Sequence, residues 1–124
     1  MLSNLIGNAI DAMSPAGGRL LVRSRDATDW RSGRKGIVLT VADTGSGMSA
    51  QTLSKIFVPF FTTKGNKGNG LGLWISREIV DRHHGVLKVR SSESQKHSGT
   101  VFALFLPWDA ARLKESRPDA EMLR

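Results

Sequence analysis

What this 124-residue chain lacks narrows its possible functions before any motif is considered. It has no cysteine, which excludes disulfides and thiolate metal sites and gives no sign of an oxidising compartment. No apolar run approaches the roughly 20 residues that span a bilayer, and the first residues lack the basic leader of a signal peptide. We therefore expect a soluble, cytoplasmic domain without direct membrane contact.

The overall composition is that of one globular domain with a basic surface. Hydrophobic residues make up 40% of the chain and charged residues 23%, and the formal net charge is +7. A basic chain attracts polyanions, so nucleic acid must be considered as a partner. The lysines and arginines are spread along the chain rather than concentrated on one element. We therefore predict a generally basic surface and no nucleic-acid partner.

Hydrophobic periodicity predicts three helices and four strands. The predicted helices are 2–13, a short one near 49–55, and 70–84, and the predicted strands are 19–27, 36–43, 86–91 and 100–106. In the helix at 70–84 the pattern turns five apolar residues inward, namely Leu71, Trp74, Ile75, Ile79 and Val80. Strand 19–27 is predicted to be half-buried, with Leu20 and Val22 on its inner side.

The order of these elements predicts an α+β fold. The strands come in pairs rather than alternating singly with helices, which argues against a doubly wound parallel sheet. We expect a two-layer α/β sandwich with a mixed sheet and helices packed on one face. Residues 1–107 are predicted to form this domain, and 108–124 a C-terminal tail.

A carboxylate, Asp43, ends the apolar strand 36–43, and Gly45 and Gly47 follow it. Glycines allow a backbone to approach a ligand closely, and a buried carboxylate needs a hydrogen-bond donor such as the amine of an adenine ring. The simpler interpretation is a turn capped by Asp43. A third is the Asp-Thr-Gly-Ser turn of retroviral-type aspartic proteases, which predicts a strand-rich chain and a second copy for the catalytic pair.

A glycine-rich segment, 68–73, opens the second long helix. Backbone N–H groups at a helix start, aided by the helix dipole, suit a polyphosphate. The segment is not a Walker A loop, because Gly-Lys-Ser/Thr is absent, and Leu73 stands where the dinucleotide fingerprint has its third glycine. Glycine that merely permits a turn is the alternative.

Two amides lie one helical turn apart on the first helix, at Asn4 and Asn8. An amide oxygen is a hard ligand that suits Mg²⁺, which usually keeps several waters and substrate phosphates as well. For either residue alone, a solvated helix face is the favoured interpretation.

Together, these segments resemble the nucleotide site of the histidine-kinase and gyrase-type ATPase superfamily, in order and in separation. The matching segments are the asparagine box at 4–12, the first glycine box at 43–48, the phenylalanine box at 57–64, the second glycine box at 68–73, and the pair at 99–100. The phenylalanine box and the end of the asparagine box look most like sensor kinases of the nitrogen-regulation and oxygen-sensing type. The resemblance implies a Bergerat-type ATP-binding fold and the cofactors ATP and Mg²⁺.

The resemblance also implies a role for each box. Asp43 would accept a hydrogen bond from the adenine amine, with Thr100 close by through water, while Gly45 and Gly47 let the turn approach the nucleotide. Asn8 would hold Mg²⁺ against the phosphates, and Asn4 would line the same wall. The resemblance further implies a lid at 61–69, with Lys64 or Lys67 on a phosphate. Backbone contacts to the phosphates would come from Gly70, Leu71, Gly72 and Leu73.

Two departures from the family pattern affect the expected partners. Kinases of this kind carry their phosphoacceptor histidine on a separate helical hairpin, so we expect a histidine-bearing partner domain and a response regulator downstream. Family domains also begin with a strand that precedes the first helix, and this strand is apparently missing here. An uncovered sheet edge would then allow dimerisation.

The closest rival function is a self-contained ATPase of the gyrase or mismatch-repair kind. Such enzymes resemble this chain but place a glutamate one helical turn before the metal asparagine, as the base for an attacking water. Here that position is Asn4, and an amide does not accept a proton at neutral pH. The substitution favours phosphoryl transfer over hydrolysis.

Overall fold

The computed structural model describes residues 1–63 and 70–108. Their elements are α1 (Leu2–Ala12), β1 (Leu20–Thr28), β2 (Lys35–Asp43), α2 (Ala50–Leu53), α3 (Gly72–Arg82), β3 (Val86–Ser92) and β4 (Gly99–Pro107). The predicted elements are confirmed, each with bounds that differ by two residues at most. Lys64, most of the predicted lid and most of the predicted tail lie outside the described residues.

The four strands form one sheet in the order β1-β2-β4-β3, and every adjacent pair is antiparallel. The predicted mixed sheet is therefore wrong in this detail. The connection through α2 and α3 does make β3 run parallel to β2. However, β4 lies between them and pairs with both, so the two parallel strands never meet.

The helices pack on one face of this sheet, as predicted. Leu5 and Ala9 of α1 are buried against Val41 of β2 and Phe102 of β4, and Ile56 closes the cluster. Full burial of such a side chain contributes about 1.5–3 kcal/mol to stability. The helix layer is thereby fixed over the middle strands, at the end of the sheet where β2 finishes.

The buried side of α3 includes Val80, as predicted, but not Trp74 or Ile75. Trp74 and Ile75 are 38% and 42% exposed, whereas Ser76 is fully buried beside Val80. Ser76 Oγ donates to the carbonyl of Gly72, one turn earlier, at 2.8 Å. Because this hydroxyl is satisfied inside its own helix, its burial costs little, and a serine takes an inward position that hydrophobicity assigns to its apolar neighbours.

Strand β1 is more exposed than a half-buried strand. Leu20 and Val22 lie on the helix side of the sheet, yet they are 39% and 44% exposed. The helices lie mainly over β2 and β3, and β1 is an edge strand beyond them. Alternation correctly predicted the strand, but alternation alone does not show whether a second layer covers it.

Candidate functional site

Three polar residues line up across the sheet where its helix-covered face ends. Asp43 is the last residue of β2, Thr100 is its partner on β4, and Ser91 is the partner of Thr100 on β3. The side chain of Thr100 is buried, and Asp43 and Ser91 are half-buried. The antiparallel register thus joins two residues that the sequence singled out, Asp43 and Thr100, although 56 positions separate them (100 − 43 − 1).

The carboxylate of Asp43 has a structural task. Its Oδ1 accepts a hydrogen bond from the backbone N–H of Gly45 at 2.8 Å, which closes the turn after β2. The interpretation of Asp43 as a turn cap is therefore correct for one carboxylate oxygen. Oδ2 takes no part in this turn, and a carboxylate accepts several hydrogen bonds, so the cap leaves Asp43 able to accept from a ligand amine.

Ser91 is a site residue that the sequence analysis missed. Its Oγ accepts from the N–H of Met48 at 2.7 Å, lies 2.8 Å from Thr100 Oγ1, and lies 3.2 Å from the carbonyl oxygen of Gly99. One hydroxyl therefore ties the turn after β2 to the start of β4. The alternation Leu87, Val89, Ser91 could have placed it on the inner face, but only strand pairing brings it beside Thr100.

The two glycines of this turn are held by tight contacts. A Cβ on Gly45 would lie 2.6 Å from the carbonyl oxygen of Ala12, at the end of α1, and Ser46 N donates to that same oxygen at 3.2 Å. Gly47 has φ +75° and passes against the carbonyl of Ser92, which a Cβ would overlap. The turn after β2 therefore packs closely between the end of α1 and the end of β3.

The other end of α1 meets the start of α3. A Cβ on Gly72 would lie 3.4 Å from Cγ of Asn4 and 3.6 Å from each of its amide atoms. Asn8, half-buried, follows one turn later on α1. The first-turn N–H groups of an α-helix have no acceptor within the helix, so those of Gly72 and Leu73 are donors at this end. The structure thus brings the asparagine box and the second glycine box together.

Gly70 connects this end to the phenylalanine box. Its φ is +74°, its carbonyl accepts from Phe60 N at 3.0 Å, and a Cβ on it would overlap the Phe60 backbone. Phe57 packs against the core, and the guanidinium of Arg77 on α3 lies 4.8 Å from its ring centroid. The side chain of Phe60, by contrast, is 72% exposed. Of these two phenylalanines, Phe57 serves as a core anchor and Phe60 does not.

Helix α1 accordingly joins two half-sites. The turn that carries Asp43 contacts its last residue, Ala12, and the start of α3 contacts Asn4. These two contact points are about 12 Å apart, because Ala12 lies eight helical steps after Asn4 at a rise of roughly 1.5 Å per step. Lys64, the remaining predicted contact, lies outside the described residues.

No helix among the described residues is long and apolar enough to cross a membrane.

Comparison with known proteins places this arrangement in a family. The model for histidine kinase-, DNA gyrase B-, and HSP90-like ATPases matches residues 1–110. The sensor histidine kinase ZraS of Salmonella typhi is 38% identical over 107 residues, which cover 86% of this chain and 21% of that protein. The C4-dicarboxylate transport sensor protein DctB of Rhizobium meliloti is 41% identical over 107 residues, covering 86% of this chain and 16% of that protein. The chain thus spans about a fifth of the length of these relatives.

A solved structure agrees with the sequence relatives. The mycobacterial sensor histidine kinase MprB matches with a TM-score of 0.67 at 32% identity, covering 84% of this chain and 65% of that one. An aspartic protease is excluded, because the Asp43 turn lies in a helix-covered ATPase fold. The chain belongs to the family of histidine kinase-, DNA gyrase B-, and HSP90-like ATPases, and within it resembles the catalytic domains of sensor histidine kinases.

Proposed function

We propose that this domain binds ATP with Mg²⁺ and donates the γ-phosphate to a histidine on a separate phosphoacceptor domain. The observation that carries the proposal is the pair of half-sites joined by α1, with the Asp43 turn at Ala12 and the glycine-rich helix start at Asn4. A carboxylate at one end and helix N–H groups with amides at the other suit the two ends of a nucleotide.

The Asp43 half-site fits the base. Oδ1 is occupied by Gly45 N–H, so Oδ2 accepts from the adenine 6-amine. Thr100, the neighbour of Asp43 across the β2–β4 ladder, contacts the ring through water. Gly45 and Gly47 keep this wall free of side chains, since each is packed too closely for a Cβ. A base with a carbonyl in place of the amine would set its oxygen against a carboxylate oxygen. Neither oxygen carries a proton, so no hydrogen bond would form between them.

The Asn4 half-site fits the phosphates and the metal. Mg²⁺ prefers oxygen ligands and keeps waters and substrate phosphates, so one amide oxygen from Asn8 suffices as the protein ligand. Asn4 lines the same wall. Backbone N–H groups from Gly70, Leu71, Gly72 and Leu73 bind phosphate oxygens, assisted by the positive end of the α3 dipole. Lys64 remains a sequence-based prediction for a further phosphate contact.

Transfer to a histidine is favoured over hydrolysis by the chemistry of position 4. Asn4 contacts the start of α3, where the phosphates are proposed to lie, and it does not remove a proton from water at neutral pH. A neutral imidazole is already a nucleophile and needs only to be positioned. Of the chain's own histidines, His83 and His84 follow α3, about 15 Å from its start. His97 lies exposed in the loop between β3 and β4.

A transfer assay tests this function. The 124-residue chain is incubated with γ-labelled ATP and a phosphoacceptor hairpin from a related sensor kinase, and hairpin labelling is compared with phosphate release by the chain alone. We expect labelling of the hairpin and very slow phosphate release. Steady hydrolysis at several turnovers per second without the hairpin, lost in Asn4→Ala, would instead support the gyrase-type ATPase. Onward transfer to a response regulator, and dimerisation through the β1 edge, are further proposals that this assay leaves aside.

A further inference from the structure

The sheet face that the helices leave uncovered carries a charge pattern of its own. The helices cover the face that bears Val41, so alternation places Arg23 and Arg25 of β1 on the opposite, outer face. The pairing of β3 with β4 places Lys88 and Arg90 on the same outer face. All four side chains are exposed. Because β1 and β3 are the two edges of the sheet, these cations form two basic rails, one along each edge.

The strand register fixes the geometry of the basic rails. Arg23 pairs with Thr40, Thr40 with Ala103, and Ala103 with Lys88, so one row crosses the whole sheet from rail to rail. Neighbouring strands are about 4.8 Å apart, which puts the Cα atoms of the two rails about 14 Å apart. Within each rail, two positions along a strand correspond to about 7 Å.

The strip between the rails consists of small and apolar side chains and contains no carboxylate. On the two central strands, the rows that join the rails contain Val38, Thr40, Ala42, Val101, Ala103 and the largely buried Phe105. Asp26, on β1, belongs to the helix side of the sheet. Within residues 1–63 and 70–108, none of the four rail cations has an ion-pair partner. The outer face therefore presents uncompensated positive charge on both sides of a narrow apolar strip.

We propose that this outer face binds an acidic amphipathic helix of a partner protein. An α-helix is about 10–12 Å across, so it fits between rails about 14 Å apart when it lies along the strands. Acidic side chains three or four positions apart on each flank are about 5–6 Å apart, close to the spacing within a rail. A narrow apolar stripe on the same helix would contact the small side chains of the strip.

Charge and shape disfavour the other partners. A bilayer surface is flat and would meet the long rail side chains before it reached a strip of small residues. A single nucleic-acid strand needs exposed aromatic rings for stacking, and Phe105, the aromatic residue on the described outer face, is only 8% exposed. A second copy of this chain would bring like charges together. The proposal does not rest on nucleotide binding, because it concerns the opposite face of the sheet.

Peptide binding tests the proposal. The probe is a fluorescent peptide of about 18 residues, or five helical turns, with glutamates flanking a leucine and alanine stripe. We expect saturable binding to the 124-residue chain that weakens as salt is raised, and weaker binding of a peptide with the same residues in scrambled order. The double reversal Arg23→Glu with Lys88→Glu should weaken binding by about tenfold or more.

A matched control separates the outer face from net charge. Lys55→Glu with Arg82→Glu makes the same charge change at exposed positions in the helix layer. We expect a loss below about threefold, because these side chains do not lie on the outer face and solvent and salt screen exposed charges. If circular dichroism shows that the reversal variant does not fold, Arg23→Gln with Lys88→Gln replaces it, with an expected loss of about three- to tenfold. Equal peptide affinity for the outer-face and control variants would overturn the proposal. So would rail-dependent binding of duplex DNA or phosphatidylglycerol vesicles without binding of the ordered peptide.

Discussion

Ser91 and Thr100 face each other across the β3–β4 hairpin with their hydroxyl oxygens 2.8 Å apart. Ser91 Oγ already accepts from Met48 N–H, and its single proton can go to the carbonyl of Gly99 or to Thr100. In the first case Thr100 donates to Ser91 and offers lone pairs to the site. In the second case Thr100 offers its proton. Ser91 therefore sets the hydrogen-bonding character that Thr100 presents beside Asp43.

Removing the Ser91 hydroxyl should lower the stability of the fold. Ser91→Ala leaves the half-buried N–H of Met48 without its acceptor, and we expect a loss of about 1–3 kcal/mol in the free energy of unfolding, measured by urea denaturation. Ser94→Ala, on the exposed loop between β3 and β4, is the control and should change stability by less than about 0.5 kcal/mol. If both variants unfold at the same urea concentration, Ser91 does not hold the turn.

Asp43 should determine the preferred base. Asp43→Ala removes the proposed acceptor, and since a hydrogen bond to a charged group is worth about 1.5–3 kcal/mol, ATP affinity should fall by about ten- to more than a hundredfold. GTP, which presents a carbonyl where adenine has an amine, should bind the parent chain poorly. Calorimetry with both nucleotides measures this, and equal affinities would refute the role of Asp43.

A more conservative substitution at Asp43 separates recognition of the base from folding. Asp43→Asn retains an oxygen that can accept from Gly45 N–H, but it replaces the second acceptor by an NH₂ donor. We expect near-parent stability together with a lower ratio of ATP to GTP affinity. An unchanged ratio would show that the carboxylate only caps the turn.

Two glycines with similar φ angles allow backbone strain to be distinguished from steric overlap. Gly47 (φ +75°) would bring a Cβ into the Ser92 carbonyl, whereas Gly33 (φ +71°) has nothing within 4 Å of that position. Gly33→Ala should cost about 1–2 kcal/mol of stability through strain alone. Gly47→Ala should cost about 1–3 kcal/mol more, because the turn must move away from β3. Equal melting shifts would mean that the close approach at Gly47 relaxes freely.

The extent to which Mg²⁺ strengthens ATP binding should depend on Asn8. For the parent chain, Mg²⁺ is expected to strengthen ATP binding because the amide oxygen and the phosphates share the ion. In Asn8→Ala this gain should shrink, while ATP affinity in EDTA stays nearly unchanged. Gln95→Ala, which removes an exposed amide from the loop between β3 and β4, should keep the full gain. If Asn8→Ala weakens binding equally with and without Mg²⁺, Asn8 contacts the nucleotide rather than the metal.

The helices and strands were predicted well from the sequence. In a fold whose helices cover one face of the sheet, apolar residues recur with the regular spacing of a helix or a strand. The prediction of buried side chains was wrong where burial depends on something other than hydrophobicity. Ser76 is buried because its hydroxyl is satisfied by Gly72, and Trp74 and Ile75 are consequently turned outward. Leu20 is exposed because the described helices pack mainly over β2 and β3, and β1 lies beyond them at the edge of the sheet. Neither cause is visible in the spacing of apolar residues.

The site was predictable to the extent that its residues form recognisable local motifs. Asp43 and the glycines after it, and the two asparagines on α1, are short patterns whose chemistry can be argued from the residues themselves. Ser91 is different, since its importance arises from the pairing of β3 with β4 and from a turn 43 residues away. Likewise, the contact between Asn4 and Gly72 depends on how two helices pack, which no local pattern records.

The central position of β4 also bears on how the protein is made. Residues 99–107 supply the strand that pairs with both β2 and β3, so the sheet cannot be completed until they have been synthesised. Until then the β1–β2 hairpin exposes the inner edge of β2, and β3 has no partner among the described strands. On the ribosome the nascent chain would therefore carry an unprotected strand edge until residue 107 leaves the exit tunnel. A stop codon before residue 99 should accordingly yield an aggregating fragment rather than a smaller folded domain.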